Sequence, residues 1–152
     1  MRYWLLKSEP ECYSIHHLKQ EGQTCWSGIR NFQARNFMIK DIKMNDLALF
    51  YHSNATPSGI AGICRVCKTA YPDFTAWDIE DEHFDPKASP KNPIWQMVDV
   101  AFESIFNQFI PLSTLHDTPE LAGMMVLQKG SRLSVMPVEE MHFKKIVEMG
   151  NK

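Results

Sequence analysis

The stretch LALFYHSNATPSGIAGICRVCK, residues 47–68, decides how the chain is read. Leu47 to His52 is an apolar, aromatic-rich run of strand composition, and Ile60 to Lys68 is a second one. Between them Asn54 to Gly59 carries Pro57 and Gly59, which interrupt regular structure. Two β-prone runs joined by such a loop read as a hairpin. Lys43-Met44-Asn45-Asp46 reads as the turn before it, and Tyr71-Pro72-Asp73 breaks it. Trp95 to Phe109 is the longest β-prone run, with Met97, Asp99, Ala101 and Glu103 alternating against Val98, Val100 and Phe102 until Pro111. Arg2 to Lys7 is a further strand ended by Pro10, and Arg132 to Val135 a short one.

Helices fall between these strands. Ser14 caps a short helix over Ile15 to Gln20, because its hydroxyl accepts an orphan amide hydrogen bond, and Gly22 ends it. Asn31 is the second cap, ahead of Phe32 to Ile39, where Phe32, Ala34, Phe37 and Met38 recur at near-helical spacing. Helical turns follow at Leu112 to Leu115 and Pro119 to Met124. A last helix runs from Val138 to Met149, with Val138, Met141, Ile146 and Met149 on one face. Strands and helices mix without a βαβαβ rhythm, so the class is α+β with a mixed or barrel-like sheet. Strands 2–7, 47–52, 60–68 and 95–109 are expected at its centre.

The chain has 152 residues, which points to one domain over 1–152. Its 44% hydrophobic and 22% charged residues rule out a disordered chain. A net charge of -2 supplies no global field for nucleic acid, so any such role needs a local basic face or a base-sized pocket. From Asp73 to Asp85 six acids occur without a Lys or Arg, which reads as a solvated connection. No apolar run has the length of a signal-peptide core or a membrane span, so a cytoplasmic monomer that touches no membrane is expected.

Several chemistries find no support. Phosphate-loop, dinucleotide-turn, nucleophile-elbow and zinc-helix motifs are missing from the sequence. Cys64-Arg65-Val66-Cys67 lies in a strand-like run, where residues three apart face opposite sides, and Cys12 and Cys25 are too far apart to make a second metal pair. The four cysteines are expected as free thiols without metal, and no cofactor is expected. Adjacent His16 and His17 diverge by about 100° on a helix, which disfavours joint ligation.

Three segments place polar groups where a strand should be closing: Lys7-Ser8-Glu9-Pro10, Trp26-Ser27-Gly28-Ile29-Arg30-Asn31 leading into Arg35, and His52-Ser53-Asn54. Strand ends converging on one rim make a concave site. Trp26 offers a face for a base, Ser and Asn offer donors and acceptors for its edge, and Arg30 and Arg35 suit flanking phosphates. Taken singly, the same residues are explained by capping at Ser8, Asn31 and Ser53 and by core packing of Trp26.

These segments resemble the EVE domain family. The resemblance rests on YWLLKSEP (3–10), CWSGIRNFQARNFM (25–38), LFYHSN (49–54), GIAGICRV (59–66), AYPD (70–73), WQMVDVAF (95–102), FIPL (109–112) and RLSVMPV (132–138), in family order over nearly the whole chain. It implies a PUA-like fold, a small twisted mixed β-barrel of five to six strands flanked by short helices, shared with YTH, ASCH and SRA-like groups. It implies a non-enzymatic binding module for a modified base, 5-methylcytosine or another cytosine derivative in DNA or RNA, flipped into a pocket at the barrel edge. By motif, the base would meet Lys7, Ser8, Glu9, Trp26, Asn31, His52, Ser53, Asn54 and Ser134, and the backbone would meet Arg30, Arg35 and Arg132. The acidic segment would have to face away from the nucleic acid. Any downstream action would fall to a partner protein or to occlusion. The alternative is an ASCH-type amidohydrolase using Lys7 and Glu9 near Ser53, although nothing in the spacing places a nucleophile between them.

Overall fold

A computed structural model describes residues 1–130 and 132–152. The elements run β1 (Tyr3–Ser8), α1 (Ile15–Glu21), β2 (Gln23–Trp26), α2 (Phe32–Lys40), β3 (Leu47–His52), β4 (Gly59–Pro72), β5 (Gln96–Pro111), α3 (Leu112–His116), β6 (Val135–Val138) and α4 (Glu140–Gly150). Short 3-10 turns lie at Phe74–Trp77, Pro119–Leu121 and Met125–Leu127. The strands form one mixed sheet in the order β2-β5-β4-β3-β1-β6. The class is therefore α+β, and the four strands expected at the centre are there.

β3 pairs antiparallel with β4 and parallel with β1, in the register Tyr3↔Leu47 to Ser8↔His52. A parallel pair needs a long crossover. Here α1, β2 and α2 supply it, with β2 crossing to the far edge of the sheet to pair with β5. The sheet curls into a partial barrel: the Trp26 ring on edge strand β2 meets the Phe50 ring of β3 edge-on, centroids 5.4 Å apart. Register shifts along β4 at Ile60/Gly62, Ile63/Cys64, Val66/Lys68 and Lys68/Tyr71 permit this, because each bends the strand and adds twist. Gly62 sits at the first of these shifts, where the backbone of β5 and the Ile15 side chain approach closely. A Cβ there would lie 2.1 Å from the Ser104 carbonyl oxygen and 2.4 Å from Ile15 Cδ1.

The parallel pair is pinned at its lower end by Asp46. This residue is 2% exposed and accepts hydrogen bonds from Trp4 Nε1 (3.0 Å), the Lys43 amide (2.9 Å) and the Arg2 amide (3.1 Å). One carboxylate thus closes the turn before β3 and fastens the start of β1 beside it.

Several elements differ from the sequence reading. β2 has no counterpart there: Gln23–Trp26 is short and only Trp26 in it is buried. β6 begins at Val135, not Arg132, so Arg132 and Ser134 precede the strand. Val138 ends β6 and cannot set the register of α4. That helix buries His142, Phe143, Ile146 and Gly150, while Met141 is 66% exposed. Among the described residues no helix is long and apolar enough to cross a membrane.

Replacing Asp46 with Ala strands the buried Trp4 N–H and two amides, and is expected to cost about 3 kcal/mol in chemical denaturation. Asp46→Asn, which keeps an acceptor, should cost less. A loss within error for D46A would remove this carboxylate from the account of the fold.

Candidate functional site

The parallel register sets the upper ends of β1 and β3 side by side, with the Ser53 amide donating to the Ser8 carbonyl at 2.9 Å. A cavity of about 800 Å³ opens at these ends. Lys7, Ser8 and Glu9 leave β1 into it, Ser53 leaves β3, Trp26 to Ile29 leave β2, and Arg132 and Ser134 lead into β6. The Lys7 amide donates to the Ser134 carbonyl at 2.9 Å, which ties the β6 approach to the same rim. That volume lies in the range of small-molecule sites.

The polar groups are unevenly committed. Ser8 Oγ donates to the Tyr13 carbonyl at 2.7 Å and keeps only its acceptor capacity. Lys7 is half-buried, and its Nζ stands 5.6 Å from the Tyr51 ring centroid without a carboxylate partner among the described residues. Burial pushes its ammonium below the usual lysine range. Glu9 is exposed and accepts from Asn54 Nδ2 at 3.4 Å. Trp26 is 5% exposed and held edge-on between Phe50 and Tyr13, so it floors the cavity. Burial and a hydrogen bond to Glu21 push the Tyr13 phenol up to about 12, which leaves it neutral.

Not every residue singled out in the sequence lines this cavity. Asn31 is the cap of α2, its Oδ1 accepting from the Ala34 amide at 2.9 Å. His52 turns to α1, its Nε2 accepting from the Ile15 amide at 3.2 Å, and burial, with a smaller contribution from His16, lowers its pKa. Asn54 stands outside with φ +50°. Arg35 donates to the Ile94 carbonyl at 3.0 Å and stacks over Phe32. Arg30 spends four N–H groups on the protein: on the carbonyls of His83 (2.9 Å) and Ile29 (3.1 Å), on Asp73 Oδ2 (3.0 Å) and on Thr75 Oγ1 (3.3 Å). A guanidinium has five such donors, so a single N–H of Arg30 is left uncommitted among the described residues.

Arg30 introduces the largest departure from the sequence reading. The segment from Asp73 to Asp85 is no solvated connection facing away, since Glu82 and His83 line the cavity. Asp73 is fully buried and accepts from the Gly28 amide (2.8 Å), Arg30 and Thr75. Asp78, Asp81 and Asp85 each accept from the amide two residues on, so these acids shape turns. The His83 ring covers Gly28, where a Cβ would come within 2.9 Å of it and φ is +82°. Sequence reasoning missed Glu82 and His83 because their wall is joined to β2 across more than fifty residues. The repeated Asp-x-x pattern was the one signal that the run is ordered. All four cysteines are free of disulfides; Cys64 is buried with its thiol pushed up to about 12, and Cys12 and Cys25 line the cavity. Among the described residues no His, Cys, Asp or Glu cluster could hold a metal.

Arg30→Ala leaves the Asp73 carboxylate buried without its cation and should cost about 3 kcal/mol. Amides of residues 76–85 should then exchange faster than those of β3, and Arg30→Lys should not rescue them, since an ammonium cannot span the same partners. Asp73 adds a pH dependence. Burial alone would raise its pKa, but hydrogen bonds from Thr75, Gly28 and Arg30 outweigh it and hold the carboxyl below the usual range. Its contribution is present above the unfolded carboxylate pKa of about 4 and is lost as pH falls through the lower folded value. The wall should loosen in acid in the wild type, and Asp73→Asn should remove that part of the acid dependence.

With this geometry in place, comparison with known proteins gives a consistent result. The EVE domain family model matches residues 2–149. Human thymocyte nuclear protein 1 is 39% identical over 168 residues, covering 99% of this chain and 74% of that protein. A Leishmania major hypothetical protein superposes with a TM-score of 0.95 at 41% identity, covering 99% of this chain and 94% of that one. The human THYN1 protein, solved in complex with DNA containing 5-methylcytosine, superposes with a TM-score of 0.92 at 38% identity, covering 100% and 99% of the two chains. An ASCH protein from Zymomonas mobilis shares the fold alone, with a TM-score of 0.56 at 9% identity over 98% of this chain and 99% of that one. The fold is thus PUA-like.

Proposed function

The chain belongs to the EVE domain family, and from that premise we propose that it is a non-catalytic module that binds a modified cytosine, 5-methylcytosine or a close derivative, swung out of a DNA or RNA strand into the cavity. The observation that carries this reading is the convergence of three polar strand ends, Lys7-Ser8-Glu9, Ser53 and Arg132 to Ser134, around one cavity floored by Trp26. The human relative solved with 5-methylcytosine DNA supplies the ligand class. A carboxylate accepts from the N4 amino group of cytosine, and Glu9 and Glu82 are the two carboxylates on the wall. The Lys7 ammonium donates to the opposite acceptors of the ring, and a 5-methyl group packs toward Trp26 and Ile29. Extrusion of the base costs a few kcal/mol, which stacking and edge hydrogen bonds offset. Four free thiols suit a reducing, intracellular compartment.

Cations are scarce around the cavity. Arg132 is exposed on its lining, whereas Arg30 and Arg35 are engaged elsewhere. Few phosphates are gripped on this reading, so log K should fall with log salt at a slope of only about -1 to -2. Selectivity for the methylated over the bare base should be about 1–3 kcal/mol, roughly 5- to 150-fold.

Calorimetric titration with oligonucleotides carrying cytosine, 5-methylcytosine or 5-hydroxymethylcytosine in one position checks these values. Lys7→Met and Ser53→Ala should each weaken the methylated oligonucleotide by about 1–3 kcal/mol without loss of fold. Trp26 is tested as Trp26→Phe, because removing so large a buried ring would cost about 3–5 kcal/mol of stability by itself. Equal affinity for all three oligonucleotides would overturn the reading. Lys7, Glu9 and Ser53 share the cavity, so product analysis after prolonged incubation belongs with the titration; a converted nucleoside would favour the amidohydrolase.

A further inference from the structure

A second cavity, of about 230 Å³, lies between β6, the start of α4 and the turn at Met125–Leu127. Met124, Met125, Val126, Met136 and Val138 line it together with Glu139 and His142. His142 is the unusual member. It is 5% exposed, yet its ring has no hydrogen-bond partner among the described residues; the nearest acid, Glu139, is 3.9 Å from Nδ1 and largely in solvent. No buried polar side-chain atom among the described residues is sealed off without a partner, so the unpaired imidazole nitrogens keep accessible surface, and His142 lines this cavity.

The geometry points to a second binding site, independent of the nucleobase cavity, for a small aromatic molecule bearing one hydrogen-bond donor, such as a phenol or an indole. Three observations fix that class. An apolar cavity of about 150 Å³ takes a benzene ring, so 230 Å³ takes a substituted ring or a small fused bicycle. Three methionines on the wall offer polarisable thioethers, which contact aromatic rings favourably and adapt to their outline. An imidazole nitrogen can accept a single hydrogen bond, which orients the ligand and leaves the rest of the contact apolar. A bare metal ion fits poorly, because ligands that bond a metal must converge closely, whereas this cavity holds its side chains apart around a volume of molecular size.

Methyl NMR of the full chain labelled at methionine tests the site with two probes that differ by one hydroxyl group, p-cresol and toluene. On p-cresol addition the methyls of Met124, Met125 and Met136 should shift saturably, while those of Met1, Met44 and Met141, exposed elsewhere, stay in place. Toluene should bind about tenfold more weakly, since it leaves the imidazole unpaired. His142→Phe should reduce p-cresol to the level of toluene; if that variant does not fold, His142→Gln, which retains an acceptor, should preserve the preference. Unmoved Met124, Met125 and Met136 methyls at millimolar p-cresol, or equal binding of the two probes to the wild type, would overturn the proposal.

Discussion

The parallel pairing of β1 on β3 is the constraint from which the rest of the structure follows. These strands lie about forty residues apart, and bringing them together in parallel demands a crossover that no tight turn can supply. The crossover is α1–β2–α2, and it delivers Trp26 to the same rim as Lys7 and Ser53. Asp46 holds one end of the pair through Trp4 and two amides, and the Ser53–Ser8 backbone bond holds the other. A slip of one residue would turn Lys7 and Ser53 to the opposite face, since side chains alternate along a strand.

On this frame the cavity is completed by a wall from a distant part of the chain. The desolvation of buried Asp73 is offset by donors from Gly28, Arg30 and Thr75 around its carboxylate. Arg30 then carries the wall on to the His83 carbonyl and packs its guanidinium 5.6 Å from the Trp95 ring. The result places carboxylates, Glu9 and Glu82, alongside Lys7 and Arg132 around one opening. Such a balance suits reading the edge of a neutral base better than gripping a polyanion, in keeping with a chain whose net charge is -2.

Much of this was legible in the sequence where hydrophobic pattern decides structure. LALFYH has the bounds of β3, and Ser14 and Asn31 cap the helices that their positions suggest. β2 was not legible, because QTCW has no periodic run and becomes a strand only by pairing with β5. The last helix was read out of register because Val138, a strand residue, was counted into its face. At the site, polar residues at strand ends marked the cavity from one side through Lys7, Ser8, Glu9 and Ser53. The same logic gave Asn31, His52 and Arg35, whose polar groups serve a cap, a helix amide and a carbonyl. A residue type that fits a base also fits a backbone, and composition alone cannot separate the two. The wall at Glu82 and His83 depends on a contact between segments more than fifty residues apart, which leaves no local trace.

The central claim is that one cavity, walled by β1, β2, β3, the approach to β6 and the acidic segment, receives a modified cytosine. Amide chemical-shift mapping with free 5-methyl-2′-deoxycytidine tests it most directly, because the nucleoside has no strand to bind elsewhere. The account predicts saturable shifts confined to Lys7 to Glu9, Trp26 to Ile29, Ser53, Glu82, His83 and Arg132 to Ser134. Shifts centred elsewhere, or none from the nucleoside while a methylated oligonucleotide still binds, would contradict it.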